Sequence, residues 1–306
     1  MEHVQLGPDM DEGAVPALQT ELEGVATVGT DGAPPTFFVS GQAPGPSVDV
    51  SRLRSLIVPF AGVPMSVRTF AADHPNVQIY NLHFNAQATA EMAVGLLIAS
   101  ARNLVVADRM LREGIWRGRQ TDDSNVNLTG KHALIYGFGA VGKCVAATLT
   151  ALGMTTDGVG RADSGRKALL SRLSRAHALV VTAPLTEETR GRIGRAELMA
   201  LHQPRLVVNV GRGDVVEEAA LFDLLKSGEI RGAGIDVWYR YPSADSEGLA
   251  WPSRFPFQDL ENVVMSPHRG GKGDETEVNR IAALAILLKQ LLAGESVRPV
   301  DPRLGY

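Results

Sequence analysis

Between residues 132 and 265 the chain alternates two hydrophobic patterns. Short, nearly continuous apolar runs rich in Val, Leu and Ile stand at 132–136, 178–182, 206–210, 234–238 and 263–265. The stretches between them carry apolar residues at helical spacing, as at 140–152 and 217–226. An apolar run of that length bounded by breakers is what a strand buried on both faces requires, so the alternation predicts βαβ units around a parallel sheet. Gly153 and Ser227-Gly228 close the two helices where a left-handed cap is expected. A helix of small residues is predicted at 88–101, and an apolar one at 275–293 that Asp274 opens with Glu277 placed to complete a capping box. Up to about residue 85 the strand signals are weaker, at 36–39 and 56–58 in a Pro-rich setting, and predict a separate, smaller α/β domain. Because the final helix follows the last strand, the chain is expected to return to that first domain and make it discontinuous.

Composition narrows the class of protein. With 306 residues, 44% of them hydrophobic and 21% charged, the chain is too long for one small core and too apolar for disorder. No repeat period is found, which removes solenoids and propellers. Thirty basic against thirty-four acidic residues give a net charge of −4, without the basic excess that neutralising many phosphates needs, so nucleic acid is not an expected partner. The single cysteine, Cys144, excludes a disulfide framework and a cysteine zinc site, and no metal is expected. The first thirteen residues carry acidic groups and no apolar signal core, and the longest apolar run, 281–288, is too short to span a membrane. A cytoplasmic protein with no membrane partner is the expectation.

The most informative local motif is Ile135-Tyr136-Gly137-Phe138-Gly139-Ala140-Val141-Gly142, which puts Gly-x-Gly-x-x-Gly after a predicted strand and at the start of a predicted helix. Gly137 permits the tight turn, Gly139 removes a Cβ where a pyrophosphate approaches, and Gly142 lets helix and strand pack closely. The amides of Ala140 and Val141 then face the ligand at the positive end of the helix dipole. Dinucleotide binding follows. The next strand decides which dinucleotide, and two registers compete in Thr155-Thr156-Asp157-Gly158-Val159-Gly160-Arg161. If the strand ends early, Asp157 receives the ribose hydroxyl of NAD(H). If it runs on, Gly160 stands in the acidic place and Arg161, with Arg166 and Lys167 near, suits a 2′-phosphate. A mid-strand aspartate points away from the crevice, so NADP(H) is favoured over NAD(H).

Further motifs follow in order: Ala183-Pro184-Leu185-Thr186-Glu187-Glu188-Thr189-Arg190-Gly191, Val207-Val208-Asn209-Val210-Gly211-Arg212-Gly213-Asp214, Gly232-Ala233-Gly234-Ile235-Asp236-Val237-Trp238 and Ser266-Pro267-His268. Together with the glycine loop, they make residues 81–292 resemble the D-isomer-specific 2-hydroxyacid dehydrogenases. The resemblance implies an NAD(P)-dependent oxidoreductase that moves a hydride between a nicotinamide cofactor and a small 2-keto or 2-hydroxy acid. It implies an α/β protein of two Rossmann-like domains with doubly wound parallel sheets. A flavodoxin-like substrate domain would be formed by 1–100 and 289–306, and a dinucleotide-binding domain by 101–288. Arg212 resembles the family's substrate-binding arginine, and His268 its general acid/base. Asp236 resembles the residue that orients the nicotinamide amide, and Pro184 and Val210 resemble cofactor contacts, with Arg212 and His268 also close to the cofactor. Ala61, Gly62 and Val63 resemble the loop that holds the substrate carboxylate. The usual family assembly, with apolar positions Val105, Met110, Leu111 and Ile115 beyond the 88–101 helix, implies a homodimer.

At one catalytic position the chain departs from the family. A glutamate usually stands 29 residues after the arginine, and here that position is Tyr241. The glutamate normally favours the imidazolium of the histidine; a phenol is neutral, so His268 is expected to hold its proton less firmly. Asp245 and Glu247 are candidate replacements. Formate dehydrogenases of the same superfamily also lack the glutamate because their hydride transfer needs no proton relay, and Asn85 matches the asparagine with which they hold substrate oxygen. A formate-like hydride transfer is therefore one alternative. A non-catalytic, cofactor-sensing corepressor is the other, against which Arg212 and His268 both argue.

Overall fold

The computed structural model describes residues 2–11, 13–116, 125–161, 165–243, 248 and 250–302. The chain forms two compact units, Met1–Asn85 with Gly273–Tyr306, and Ala86–Lys272. The smaller unit begins with β1 (Glu2–Leu6), α1 (Ala14–Glu21), β2 (Ala26–Gly29), β3 (Phe37–Val39), β4 (Ser55–Val58), α2 (Met65–Asp73) and β5 (Gln78–Asn81). Its strands are all parallel in the order β2-β1-β3-β4-β5, the flavodoxin-like arrangement. The larger unit contains α3 (Ala86–Ala101), α4 (Leu104–Arg112), β6 (His132–Tyr136), α5 (Ala140–Ala151), β7 (Thr155–Val159), α6 (Arg166–Leu173) and β8 (Ala178–Val181). It continues through α7 (Arg195–Ala200), β9 (Leu206–Asn209), α8 (Glu218–Lys226), β10 (Gly232–Ile235) and β11 (Val263–Met265). Its sheet is again wholly parallel, in the order β11-β10-β9-β8-β6-β7. The last helix, α9 (Thr276–Leu292), is part of the smaller unit.

Strands β8, β9 and β10 are buried along their whole length, which is why they read as apolar runs interrupted only by Asn209 at the end of β9. Alternate residues supply two cores. Leu134, Tyr136, Leu179, Val181 and Val207 join Leu169, Leu198 and Phe222 on one face. Ala133, Ile135, Val180, Leu206 and Val208 join Leu96, Leu97 and Val145 on the other.

The unit boundaries fall at 85/86 and 272/273, not at the expected 100/101 and 288/289. Packing of two helices decides this. α3 buries Ala93, Leu96 and Leu97 in the larger unit, so close to β10 that a Cβ on Gly234 would lie 2.6 Å from Leu96 Cβ. α9 sends Leu284, Leu287 and Leu288 into the core of the smaller unit beside Val4, Leu18 and Leu22. Each such leucine stabilises its unit by about 1.5–3 kcal/mol, enough to fix which core its helix enters. The expected capping box on α9 does not form. Asp274 accepts the N–H of Glu275 at 3.0 Å, and Gly273 N–H instead reaches Thr276 Oγ1 at 2.7 Å. No single helix among the described residues is long and apolar enough to cross a membrane.

Candidate active site

The glycine loop lies where β6 gives way to α5, between the ends of β7 and β8, which is the point where the order of strands reverses. Open α/β sheets bind ligands in such crevices. Gly137 has φ 108°, and an added Cβ would stand 2.4 Å from Ala183 N, so no other residue fits the turn. Thr182 Oγ1 donates to Gly137 O at 2.5 Å and Gly139 N–H to the same oxygen at 2.9 Å, which fixes the loop against β8. A Cβ on Gly142 would be 2.4 Å from Gly137 O. Gly139 differs from both. A Cβ there would meet nothing within 4 Å, so the space above it is open. Ala140 begins α5 directly behind it, and the first amides of a helix have no intrahelical acceptor. An open cradle beside helix-terminal donors is what a pyrophosphate needs, so these residues fit a dinucleotide.

The ladder of β7 ends at Val159, whose carbonyl receives Gly137 N–H at 2.9 Å. Gly160 therefore stands at the strand end, with Arg161 immediately after it. Asp157 lies in mid-strand, and its carboxylate is 3.2 Å from Arg172 Nη1 on α6. Arg166, expected near the same nucleotide end, donates to the buried carboxylate of Glu197 at 2.9 Å. The ring of Phe138 lies over β7, and a Cβ on Gly158 would come within 2.2 Å of it.

Beyond β8, the Pro184 carbonyl accepts the Thr189 hydroxyl at 2.7 Å. Beyond β9, Val210 N–H bonds Val181 O at 3.0 Å, and Val210 is buried. Asn209, 1% exposed, locks the turn that presents the arginine: Gly211 N–H reaches its Oδ1 at 3.1 Å and its Nδ2 reaches Arg212 O at 3.0 Å. The Arg212 guanidinium lies exposed, with one N–H on Gly211 O at 2.7 Å.

The ladder of β10 spans 232–235, not the expected 234–238; Asp236 N–H still reaches Asn209 O at 3.0 Å, and its side chain turns to the loop after β11. Asp236 is 1% exposed, and its carboxylate accepts the Ser266 hydroxyl and two backbone N–H groups of that loop. Tyr241 is half exposed and takes the Trp238 N–H on its hydroxyl oxygen at 3.3 Å. Its ring centroid stands 5.5 Å from that of His268 at a tilt of 58°. The structure thus brings Tyr241 to His268 as a ring contact. Partial burial and Arg212 hold the His268 pKa below its ordinary 6.5, Asp236 opposes them, and Lys272 adds to the depression. Asp245 and Glu247 lie outside the described residues.

In the smaller unit Ala61, Gly62 and Val63 follow the carboxyl end of β4, where the Asn81 amide donates to Ala61 O. Asn85 is half-buried at the end of that unit's first segment. Sequence reasoning missed Asn209, Ser266, Gly270 and Lys272. Asn209 and Ser266 stood inside quoted motifs, Asn-Val-Gly-Arg-Gly and Ser-Pro-His, and for Asn209 a buried polar side chain at a strand end was the available signal. Gly270 and Lys272 sit in a loop whose pattern carries no period.

Residues 94–270 match the family model of the D-isomer specific 2-hydroxyacid dehydrogenase, NAD binding domain. D-3-phosphoglycerate dehydrogenase of Mycobacterium leprae is 33% identical over 252 residues, 79% of this chain and 46% of that protein. Glyoxylate reductase of Korarchaeum cryptofilum is 33% identical over 220 residues, 68% of this chain and 64% of that protein. The chain therefore spans only part of the length of these relatives. Among solved structures, the D-isomer specific 2-hydroxyacid dehydrogenase from Xanthobacter autotrophicus Py2, in complex with NADPH and MES, superposes with a TM-score of 0.76 at 26% identity. That match covers 100% of this chain and 99% of the other.

Proposed function

The chain belongs to the D-isomer-specific 2-hydroxyacid dehydrogenase family, and we propose that it is a 2-keto acid reductase that moves a hydride between a nicotinamide dinucleotide and a small 2-keto or 2-hydroxy acid. The observation that carries this reading is the gathering of the glycine cradle, Arg212 and His268 at the carboxyl edge of one parallel sheet. The bound cofactor supplies the hydride. Everything else falls to side chains and amides of the chain. Gly137, Gly139, Ala140, Val141 and Gly142 hold the pyrophosphate, and Pro184 and Val210 flank the nicotinamide end. Arg212 grips the substrate carboxylate and polarises the carbonyl, and Ala61, Gly62, Val63 and Asn85 contribute to substrate binding. His268 gives the proton to the new hydroxyl, or removes it in the reverse direction, while Tyr241 packs against its ring.

Arg161 receives a 2′-phosphate, which makes NADP(H) the preferred cofactor. The end of β7 at Val159 and the capture of Asp157 by Arg172 support this, as does the NADPH held by the Xanthobacter enzyme. The protein works in the cytoplasm as a homodimer, with neither nucleic acid nor membrane as partner. Exposed Leu104, Val105, Leu111, Ile115 and Trp116 on and after α4 supply the apolar contact, and light scattering at micromolar concentration is expected to give twice the chain mass.

A second reading is favoured by one observation: among the described residues no carboxylate side chain bonds the His268 imidazole. A hydride-only oxidation of formate would need none. One panel separates the two. Purified protein is offered NADPH or NADH with glyoxylate, hydroxypyruvate, phenylpyruvate and branched 2-keto acids, and the oxidised cofactors with formate. Keto-acid reduction that is faster with NADPH is the expected result. Formate oxidation without keto-acid reduction establishes the second reading.

A further inference from the structure

Two segments of the larger unit flank the reacting edge. One turns at Gly213–Val215 directly after Arg212, and the other leaves β10 and runs through Trp238 and Tyr239 to Tyr241, whose ring meets that of His268. Their backbones touch at Gly213, where an added Cβ would lie 2.3 Å from Trp238 O. Among the described residues one hydrogen bond joins the turn to that second segment: the Tyr239 hydroxyl donates to Val216 O at 3.1 Å. The second segment is itself held. Pro252 O accepts the N–H groups of Tyr239 at 3.2 Å and Arg240 at 2.9 Å, and the Tyr241 hydroxyl oxygen takes Trp238 N–H at 3.3 Å. Glu218, in the first turn of α8, accepts the Ser253 hydroxyl at 2.8 Å and Arg254 N–H at 3.2 Å, which fixes the limb that carries Pro252.

We propose that Tyr239 is a positioning residue of this site: its hydroxyl fastens the turn after Arg212 to the segment that carries Tyr241, and so holds the guanidinium at a set distance from the imidazole. The proposal rests on the hydride-transfer reading above, in which the grip on the carboxylate and the delivery of the proton have to reach one substrate together. Three features separate this role from packing. The ring alone serves the core, since it stacks on Phe257 with centroids 6.5 Å apart at 21°, and a phenylalanine fills the same place. The turn is already fastened elsewhere: Asn209 bonds Gly211 N–H and Arg212 O, and the backbone of Ile193 pairs with Val215 and Glu217. Neither tie reaches the segment beside His268, and the Tyr239 hydroxyl does. Burial, with the carboxylates of Glu218, Asp214 and Glu217 nearby, pushes this phenol far above its ordinary 10, so its O–H remains a donor wherever His268 titrates.

The charged groups that face His268 are Arg212, Lys272 and Asp236, the first two depressing its pKa and the third opposing them. Protonating the imidazole sets like charges against each other, so a turn released at Val216 yields, and the imidazolium forms more readily. The test uses the full chain with Tyr239→Phe, alone and combined with Arg212→Gln. The His268 Cε1–H resonance, identified by its loss in His268→Gln, is titrated without substrate or cofactor. Tyr239→Phe is expected to raise the His268 pKa from its lowered position toward 6.5, and to leave it unmoved where Arg212→Gln has already removed the guanidinium. In keto-acid reduction Tyr239→Phe is expected to lower kcat about tenfold, with KM and NADPH affinity changed less than about twofold, because both substrate contacts survive and only their joint alignment is lost. A lowered Tm with the titration and kcat unaltered would overturn the proposal in favour of a merely structural hydroxyl. An equal rise in pKa with and without the guanidinium would overturn it in favour of an effect passed through Tyr241 alone. The titration needs no turnover, so a protein that reduces no keto acid defeats the reading above while the place of Tyr239 is still decided.

Discussion

The two units are built on sheets of the same kind, each with one point at which the strand order reverses, and they treat that point in opposite ways. In the smaller unit it lies between β1 and β3, where Gly7 and Asp9 follow one strand and Ser40 and Gly41 the other. There the chain fills its own crevice. The Asp9 carboxylate accepts the Ser40 hydroxyl and, at 2.7 Å, the Gly41 N–H, and Phe60 closes on Gly41 so tightly that a Cβ would be 2.6 Å from its ring. In the larger unit no such carboxylate among the described residues bonds the loops at the corresponding place between β6 and β8, and Gly139 leaves open space. One crevice is satisfied by an internal anion; the other is left for an external one. Topology thus provides two equivalent positions, and two or three loop residues decide which becomes a site.

The strongest way to break this contrast is to disable the open crevice. His268→Ala is expected to lower kcat by roughly 10²- to 10⁴-fold with cofactor affinity retained, and Arg212→Ala to raise KM as well as lower kcat, as steady-state kinetics will read. Full activity in either variant would move the chemistry away from this edge. Gly139→Ala separates ligand from fold, since its methyl meets no protein atom. Dinucleotide affinity by calorimetry is expected to fall about tenfold or more, ~1.4 kcal/mol per tenfold, with Tm unchanged. Tyr241→Glu sharpens the electrostatics of the same edge. His268 now loses its proton below the ordinary 6.5, so reduction fails as pH rises through that lowered value. A carboxylate beside it favours the imidazolium, and the alkaline limb of the kcat profile is expected to move to higher pH. The smallest effect is expected at the filled crevice. Asp9→Asn should cost stability by only ~1 kcal/mol, because the carboxylate is exposed, and leave kcat and dinucleotide affinity alone. A fall in kcat there would mean that the filled crevice also serves the reaction.

What the sequence disclosed follows the same division. The open crevice was legible because β6 and α5 are unambiguous: a strand apolar and buried from Ala133 to Tyr136, then glycines whose spacing has a steric reason. Arg212 and His268 stood in motifs at strand ends, and the replacement at 241 was visible as a single letter. The filled crevice was not legible. β1 alternates buried Val4 and Leu6 with partly exposed His3 and Gln5, β2 is a four-residue edge strand, and β5 starts on an exposed Gln78, so none forms an apolar run. α3 is apolar nearly all round, and its pattern could not tell which core it would enter. The ties of Asp236 were hidden for a different reason. They join residues thirty or more positions apart through backbone N–H groups, which every residue but proline carries.

The ring of Phe138 resting on Gly158 sets a rule for anyone wishing to reprogramme the nucleotide preference of this protein. The obvious route is to transplant the tail of β7 from an acid-bearing relative. Such a graft brings whatever side chain that relative carries at position 158, and any side chain there evicts the ring. Because Phe138 sits between the two glycines of the turn, its eviction twists the cradle, and a change aimed at the ribose is felt at the pyrophosphate. Positions 138 and 158 therefore have to be exchanged together, large for small, as a single coupled replacement.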